Sequence, residues 1–210
     1  MGMDRITYVS APSRGHRLGS ALTTRAISLQ SMAGLVLPIL TERLLLRTHH
    51  PDDLDALLEY YADPEVARYI PWEPWSRAEA EVHLQKRLQR TGIDGPDSAL
   101  ALVVERDQRV IGDVVLWPVD ETVARGEMGW AFHPDVAGNG YATEAVEALI
   151  GVAFGICGMR RLIAQVDSRN ASSAKLCERI GMTREAYLRQ DCWAKGEWTD
   201  TVIYGLLADE

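Results

Sequence analysis

His133-Pro134-Asp135-Val136-Ala137-Gly138-Asn139-Gly140-Tyr141-Ala142-Thr143-Glu144-Ala145 joins a segment of strand character to one of helical period. Glycines on both sides of Asn139 permit positive φ and close backbone approach. A helix leaving such a loop turns its first unpaired N–H groups toward whatever lies in front of them, which favours a phosphate or pyrophosphate. Asn-Gly between apolar segments is also a common hairpin signal. Downstream, however, Val146, Leu149, Ile150 and Ala153 fall at helical spacing where a hairpin strand would alternate. An anion cradle is therefore the preferred reading and a purely structural turn the alternative. No Gly-Lys-Ser/Thr follows, so the loop is not a P-loop. Thr143 replaces the third glycine of a dinucleotide fingerprint, and the loop comes late in the chain.

Upstream of the loop, Ala99 to Glu105, Val110 to Val119 and Glu127 to Phe132 read as strands, the first two joined by a tight polar turn from Arg106 to Arg109. These three predict an antiparallel meander. Earlier still come a short strand over Leu44 to Arg47 and a helix opened by Pro51-Asp52-Asp53. A further turn begins at Asp63-Pro64, and a helix follows the capping-box pattern Ser76-Arg77-Ala78-Glu79 and runs to about Arg90. Asp94-Gly95-Pro96-Asp97 breaks the chain. Downstream the pattern predicts a helix from about Thr143 to Phe154, a strand over Leu162 to Asp167 and a helix from about Ser172 to Ile180, stopped by Gly181. Two closing strands lie around Tyr187 and Val202. The order is that of a mixed α/β domain with helices over one sheet.

At 210 residues the chain has the length of one domain with some excess. Residues 1–36 carry Arg5, Arg14, Arg17 and Arg25 against the single acid Asp4, a net of +3, so the remainder accounts for −11 of the overall −8. The break sets a leader or disordered tail over 1–36 apart from a domain over 37–210, with a targeting peptide as the less favoured reading of the leader. An acidic chain argues against nucleic acid and favours cationic or small neutral partners. No apolar stretch is long enough for a membrane-spanning helix. Cys157, Cys177 and Cys192 have no paired metal or disulfide spacing, which makes a reducing cytoplasm the expected compartment. His49, His50, His83 and His133 have no ligand spacing either, so no metal is expected.

Ala137-Gly138-Asn139-Gly140-Tyr141-Ala142 resembles the acyl-coenzyme A loop of the GNAT acetyltransferases, with Ala137 standing at the position usually held by Arg or Gln. The resemblance extends in order through Thr41-Glu42-Arg43-Leu44-Leu45-Leu46-Arg47, Asp63-Pro64-Glu65-Val66, Glu127-Met128-Gly129-Trp130, Asn170 with Ser173, and Arg179-Ile180-Gly181-Met182. It covers about residues 37 to 210, and its pattern is similar to the branch containing the ribosomal-protein N-terminal acetyltransferases. This resemblance implies the GNAT fold, a mostly antiparallel twisted sheet with helices on both faces. That sheet is splayed between its fourth and fifth strands by a bulge, for which Trp130 to His133 is the candidate segment.

The same resemblance implies acetyl-coenzyme A as co-substrate and an amine acceptor, either a small molecule or a protein N-terminus; a homodimer is left open. Backbone amides of Gly138, Asn139, Gly140, Tyr141, Ala142 and Thr143 would hold the pyrophosphate, Trp130, Ala131 and Phe132 the pantetheine, and Asn170 its arm. Glu127 is the candidate general base at the acceptor end of the cleft, with a structural carboxylate as the alternative. Ser173, near the coenzyme sulfur in the family pose, is the candidate general acid, because Cys177 occupies the position where many relatives carry a tyrosine. Cys177 as an acyl-enzyme nucleophile is the bolder alternative, and core packing the plainer one. Trp72 and Trp75 are candidate acceptor-binding residues, with core anchoring as the alternative. Two competing functions remain: a coenzyme A-binding regulatory module without turnover, and a protein-binding domain in which the glycine loop is only structural.

Overall fold

A computed structural model describes residues 34–93, 98–120 and 122–210. The expected leader falls outside these residues as far as residue 33, as does the break at 94–97. The elements are β1 (Ile39–Leu40), β2 (Leu45–Thr48), α1 (Leu54–Tyr61), α2 (Pro64–Ala67), α3 (Arg77–Gln89), β3 (Thr91–Gly92), β4 (Ala99–Arg106), β5 (Arg109–Pro118), β6 (Arg125–Phe132), α4 (Tyr141–Gly151), β7 (Arg161–Asp167), α5 (Ala171–Arg179), β8 (Thr183–Ala194) and β9 (Glu197–Leu207). The sheet runs β1-β2-β4-β5-β6-β7-β9-β8, with β3 paired to β4. Its pairs are antiparallel except β6 with β7.

Local chemistry sets most boundaries. Ser76 and Glu79 exchange cap bonds at the start of α3, Ser76 N–H donating to Glu79 Oε2 at 2.7 Å and Glu79 N–H to Ser76 Oγ at 3.3 Å. Asp63 accepts from Glu65 N–H at 2.8 Å ahead of Pro64, which opens α2. Asp107 and Gln108 both take positive φ in the β4–β5 turn, the geometry whose twist suits a two-residue hairpin. Helix α4 starts two residues before the predicted Thr143 and continues from Val152 to Ile156 as a π-helical turn.

The sheet separates two cores. On one face Leu100, Leu102, Val114, Leu116 and Met128 pack with Val146 and Leu149 of α4 and Leu176 and Cys177 of α5. On the other, Val103 and Val110 pack with Leu57, Tyr60 and Tyr61 of α1, Trp75, and Ala80 and Leu84 of α3. Alternation along β4 sends Leu102 and Val103 to opposite cores, as period two requires.

β6 pairs with β7 only at Arg125, Gly126 and Glu127, opposite Arg161 to Ile163. Beyond that, β6 stays registered with β5 as far as Phe132, while β7 follows β9 as far as Asp167. The expected splay is therefore present, between what are the sixth and seventh strands once the two-residue β1 and β3 are counted. The expected bulge over Trp130 to His133 is not: the β5–β6 register is unbroken from Gly126 to Phe132. No extra residue is needed, because each strand is held by its own antiparallel neighbour and sheet twist carries the two pairs apart.

A buried polar triangle ties α1 and α3 to β5. Arg87 Nε donates to Asp113 Oδ2 at 2.8 Å, Arg87 Nη2 to the Tyr61 hydroxyl at 2.9 Å, and that hydroxyl to Asp113 Oδ1 at 2.7 Å. Burial acts to raise the Asp113 carboxyl, but the Arg87 guanidinium and the His49 side chain outweigh it and hold the group well below the usual carboxylate range. His83 stacks on Trp75 with ring centroids 4.3 Å apart. Burial first, then the charges of Arg87 and Lys86, lower its imidazole from 6.5 to about 4.

Between those two values the unfolded chain binds a proton that the folded chain refuses, so His83 removes stability as pH falls through the window. Thermal melts of His83→Phe, which keeps the stack, are expected to show a flatter loss between pH 6.5 and about 4 than the parent. Parallel curves for the two proteins would contradict this.

Candidate active site

A cavity of about 420 Å³ opens where β6 and β7 part. Met128 to Phe132 of β6 form one wall, and Gln165, Val166 and Asp167 of β7 form the other. Asn170, Ser173 and Leu176 close the α5 side, and Gly138, Gly140 and Thr143 the loop end.

Gly138 and Gly140 both have φ of +80°, a conformation costly for other L-residues. Gly140 caps α4, whose first ladder bond runs from Glu144 N–H to the Gly140 carbonyl at 3.1 Å. The amides of Tyr141, Ala142 and Thr143 therefore precede that ladder at the helix's positive end. The Asn139 side-chain amide donates to the carbonyls of Val136 and Ala137 at 3.2 and 3.3 Å, bracing the loop from within. Glu144 braces it from below, accepting from Thr41 Oγ1 at 2.6 Å, from Arg43 N–H at 2.8 Å and from Arg43 Nε at 2.7 Å. Arg43 Nη1 reaches the Asn139 carbonyl at 3.0 Å, and its guanidinium lies 4.7 Å from the centroid of the buried Tyr141 ring. Tyr141 thus offers the cleft its backbone, while its ring is packed in the core.

Deeper in, Asn170 caps α5 by accepting from Ser173 N–H at 3.0 Å, and Trp130 Nε1 donates to Ser173 Oγ at 3.3 Å. The hydroxyl is thereby held at the cleft wall with its own hydrogen free to point elsewhere. Trp130, Ala131, Phe132, Gly138, Gly140, Tyr141, Ala142, Thr143, Asn170 and Ser173 all line this cavity. Asn139 does not, its side chain being used within the loop.

Three expected residues lie elsewhere. Glu127 is buried and accepts from Gln165 Nε2 at 3.2 Å; Gln165 lines the cavity and Glu127 does not. Trp75 is 3% exposed and stacks on Tyr61 at 3.9 Å, so it is a core anchor and not part of an acceptor surface. Trp72 lines a separate small cavity behind β6. Sequence cannot separate these two indoles, because the ring serves equally in a core and at a cleft. Cys177 is fully buried and burial pushes its thiol up to about 12, which removes the thiolate a nucleophile requires. Two residues not expected at the site, Lys175 and Arg179, line the cleft from successive turns of α5. Their spacing of four residues after an N-cap is the signal in the sequence that could find them.

The family model for the acetyltransferase (GNAT) domain matches residues 43–183. The chain belongs to the GNAT acetyltransferase family. It is 32% identical over 176 residues to the uncharacterized N-acetyltransferase YnaD of Bacillus subtilis, covering 82% of this chain and 98% of that one. To the ribosomal protein uS5-alanine N-acetyltransferase of Escherichia coli it is 26% identical over 178 residues, covering 79% and 88%. A GNAT acetyltransferase structure from Bacillus anthracis superposes with a TM-score of 0.75 at 28% identity, over 82% of this chain and 99% of that one. The protein is an N-acetyltransferase of the GNAT fold.

Cys157, Cys177 and Cys192 are all buried, and none of them is in a disulfide. A thiol reagent at pH 8 is expected to leave Cys177 of the native protein unmodified and to label it on denaturation, read by mass spectrometry. Rapid native labelling of Cys177 would contradict its assignment to the core.

Proposed function

We propose that this GNAT protein uses acetyl-coenzyme A to acetylate a primary amine by direct attack within a ternary complex. The observation that carries the reading is one continuous cleft running from the loop amides, along the edge of Met128 to Phe132 that β7 leaves open, to Ser173. Its parts fit the co-substrate in order. The glycine loop and the start of α4 suit the pyrophosphate. Lys175 and Arg179 supply positive charge across from the loop, where Ala137 has none to give. The β6 edge offers backbone groups to the pantetheine amides, in the manner of an added strand.

In the transfer step the neutral amine attacks the thioester carbonyl carbon. A C–N bond forms, and the tetrahedral oxyanion collapses with loss of the C–S bond. The leaving thiolate takes a proton, for which Ser173 is the candidate donor, its oxygen already engaged by the Trp130 indole N–H, and the proton that the attacking nitrogen sheds as the amide forms replaces it on the serine oxygen. Glu127, held by Gln165, is the candidate for accepting the ammonium proton through a bridging water, since the carboxylate lies behind the cleft wall. Direct transfer is favoured over an acyl-enzyme because the Cys177 thiol is buried and raised to about 12. We further propose that residues 37–210 form the catalytic domain.

A saturable rise in melting temperature with acetyl-coenzyme A is expected, lost in Gly140→Trp and weakened in the Lys175→Ala, Arg179→Ala double variant. Ser173→Ala is expected to lower kcat about 100-fold, well beyond its effect on acetyl-coenzyme A affinity. Cys177→Ala is expected to keep its turnover. Turnover abolished in Cys177→Ala but retained in Ser173→Ala would reverse the mechanism.

A further inference from the structure

The cleft is walled from both faces of the sheet. Val136, Ala142 and Ala174, from the glycine loop, the start of α4 and α5, pack with the core under α4, whereas Val66 and Ile70 pack with the core of α1 and α3. Val66, Tyr69 and Ile70 nevertheless line the same cleft as the loop and α5. Where β6 and β7 part, the space therefore runs through the sheet. A donor seated on the loop and α5 fills one side and leaves the α2 side for the amine.

The α2 wall is tied to a hairpin from the far end of the chain. Helix α2 is four residues long and ends at Ala67, too short to be stable by itself. The Ala67 carbonyl accepts from Ile70 N–H at 3.1 Å and from Lys195 Nζ at 2.5 Å. The second bond carries a charged donor to the end of a helix, where carbonyls lack ladder partners. Lys195 and Gly196 form the β8–β9 turn, with φ of +50° and +80° between the paired Ala194 and Glu197. The first position of such a turn favours Asn, Asp or Gly. Nothing in the turn itself calls for lysine; the contact with α2 does.

The hairpin end is held firmly enough to act as an anchor. Trp193 and Trp198 lie directly opposite each other across the strands, with ring centroids 5.3 Å apart. Arg169 Nη1 donates to Glu197 Oε1 at 2.7 Å, while its Nε and Nη2 donate to Asp167 at 3.0 and 2.8 Å. Tyr69, Ile70 and Asp167 line both the main cleft and a space of about 20 Å³ bordered by Lys195 and Glu197. The ties thus reach the cleft on both sides of this mouth, through α2 and through the end of β7.

We propose that Lys195 is a positioning residue for acetyl transfer: by clasping Ala67 it sets the α2 wall against which the acceptor amine is held. Lys195 does not itself line the cleft, so it acts through Tyr69 and Ile70. The inference rests on the transferase reading above and adds a residue far from the reacting atoms. Without the clasp the wall is ordered in only a fraction of molecules, and apparent acceptor affinity falls by that fraction.

The test is steady-state kinetics of the full chain with acetyl-coenzyme A and three amines, alanine amide, a short alanine peptide and spermidine. Lys195→Asn removes the clasp and places a favoured residue in the turn, so its melting temperature is expected to stay close to the parent's. Its KM for each amine that the parent acetylates is expected to rise about tenfold, the scale of a hydrogen bond to a charged group. Its kcat and its dissociation constant for acetyl-coenzyme A are expected to stay within about twofold of the parent's, and Lys195→Arg, which keeps a charged donor, to recover most of the loss. An unchanged amine KM in Lys195→Asn, an equal weakening of acetyl-coenzyme A binding, or a loss that Lys195→Arg does not relieve would overturn the inference and leave the transferase reading standing. Binding of acetyl-coenzyme A without acetylation of any of these amines by the parent would overturn the transfer reading and the inference with it.

Discussion

The parting of β6 from β7 is the constraint on which the rest of this structure depends. Parallel pairing ends at Glu127 and Ile163, and from there each strand is held on one side only, β6 by β5 and β7 by β9. A backbone edge left this way in a sheet interior has to find partners, because buried amides and carbonyls without them are costly. The cleft supplies the space for a ligand that can act as such a partner. Both cores contribute, since α4 and α5 pack on one face and α1 and α3 on the other, and together they hold the divided sheet in place.

The loop at the end of the cleft is held from two directions. Asn139 ties it to its own carbonyls, and Glu144 ties the start of α4 to Thr41 and Arg43 from the far end of the sheet. Burial alone would raise the Glu144 carboxyl, but the bonds from Thr41 and Arg43 prevail and lower it, so the anchor is ionised at neutral pH. This explains why the Thr41 to Arg47 segment and the glycine loop, about a hundred residues apart, belong to one pattern. It also gives the short side chain of Ala137 a physical setting, with positive charge reaching the cleft from α5 instead.

Much of this is legible in the chain. The Ser76 capping box, the Asp63-Pro64 start, the meander and the period of Val146 and Leu149 are local signals, and each sets the element it predicts. What escapes is long-range. Whether Trp72 or Trp75 faces a cavity depends on where α3 sits over β5, which no local pattern encodes. The Arg87, Asp113 and Tyr61 triangle joins three separate elements. For Glu127, strand position gives a face but not the local geometry that sets the carboxylate behind Gln165.

If the divided sheet and the glycine loop together hold acetyl-coenzyme A, backbone hydrogen exchange with and without that ligand shows it most directly. Protection confined largely to residues 130–132 and 138–143 is the predicted result. Protection absent from both segments, or gained instead along the groove formed by Leu40 to Leu45 and Glu105 to Asp107, would contradict it.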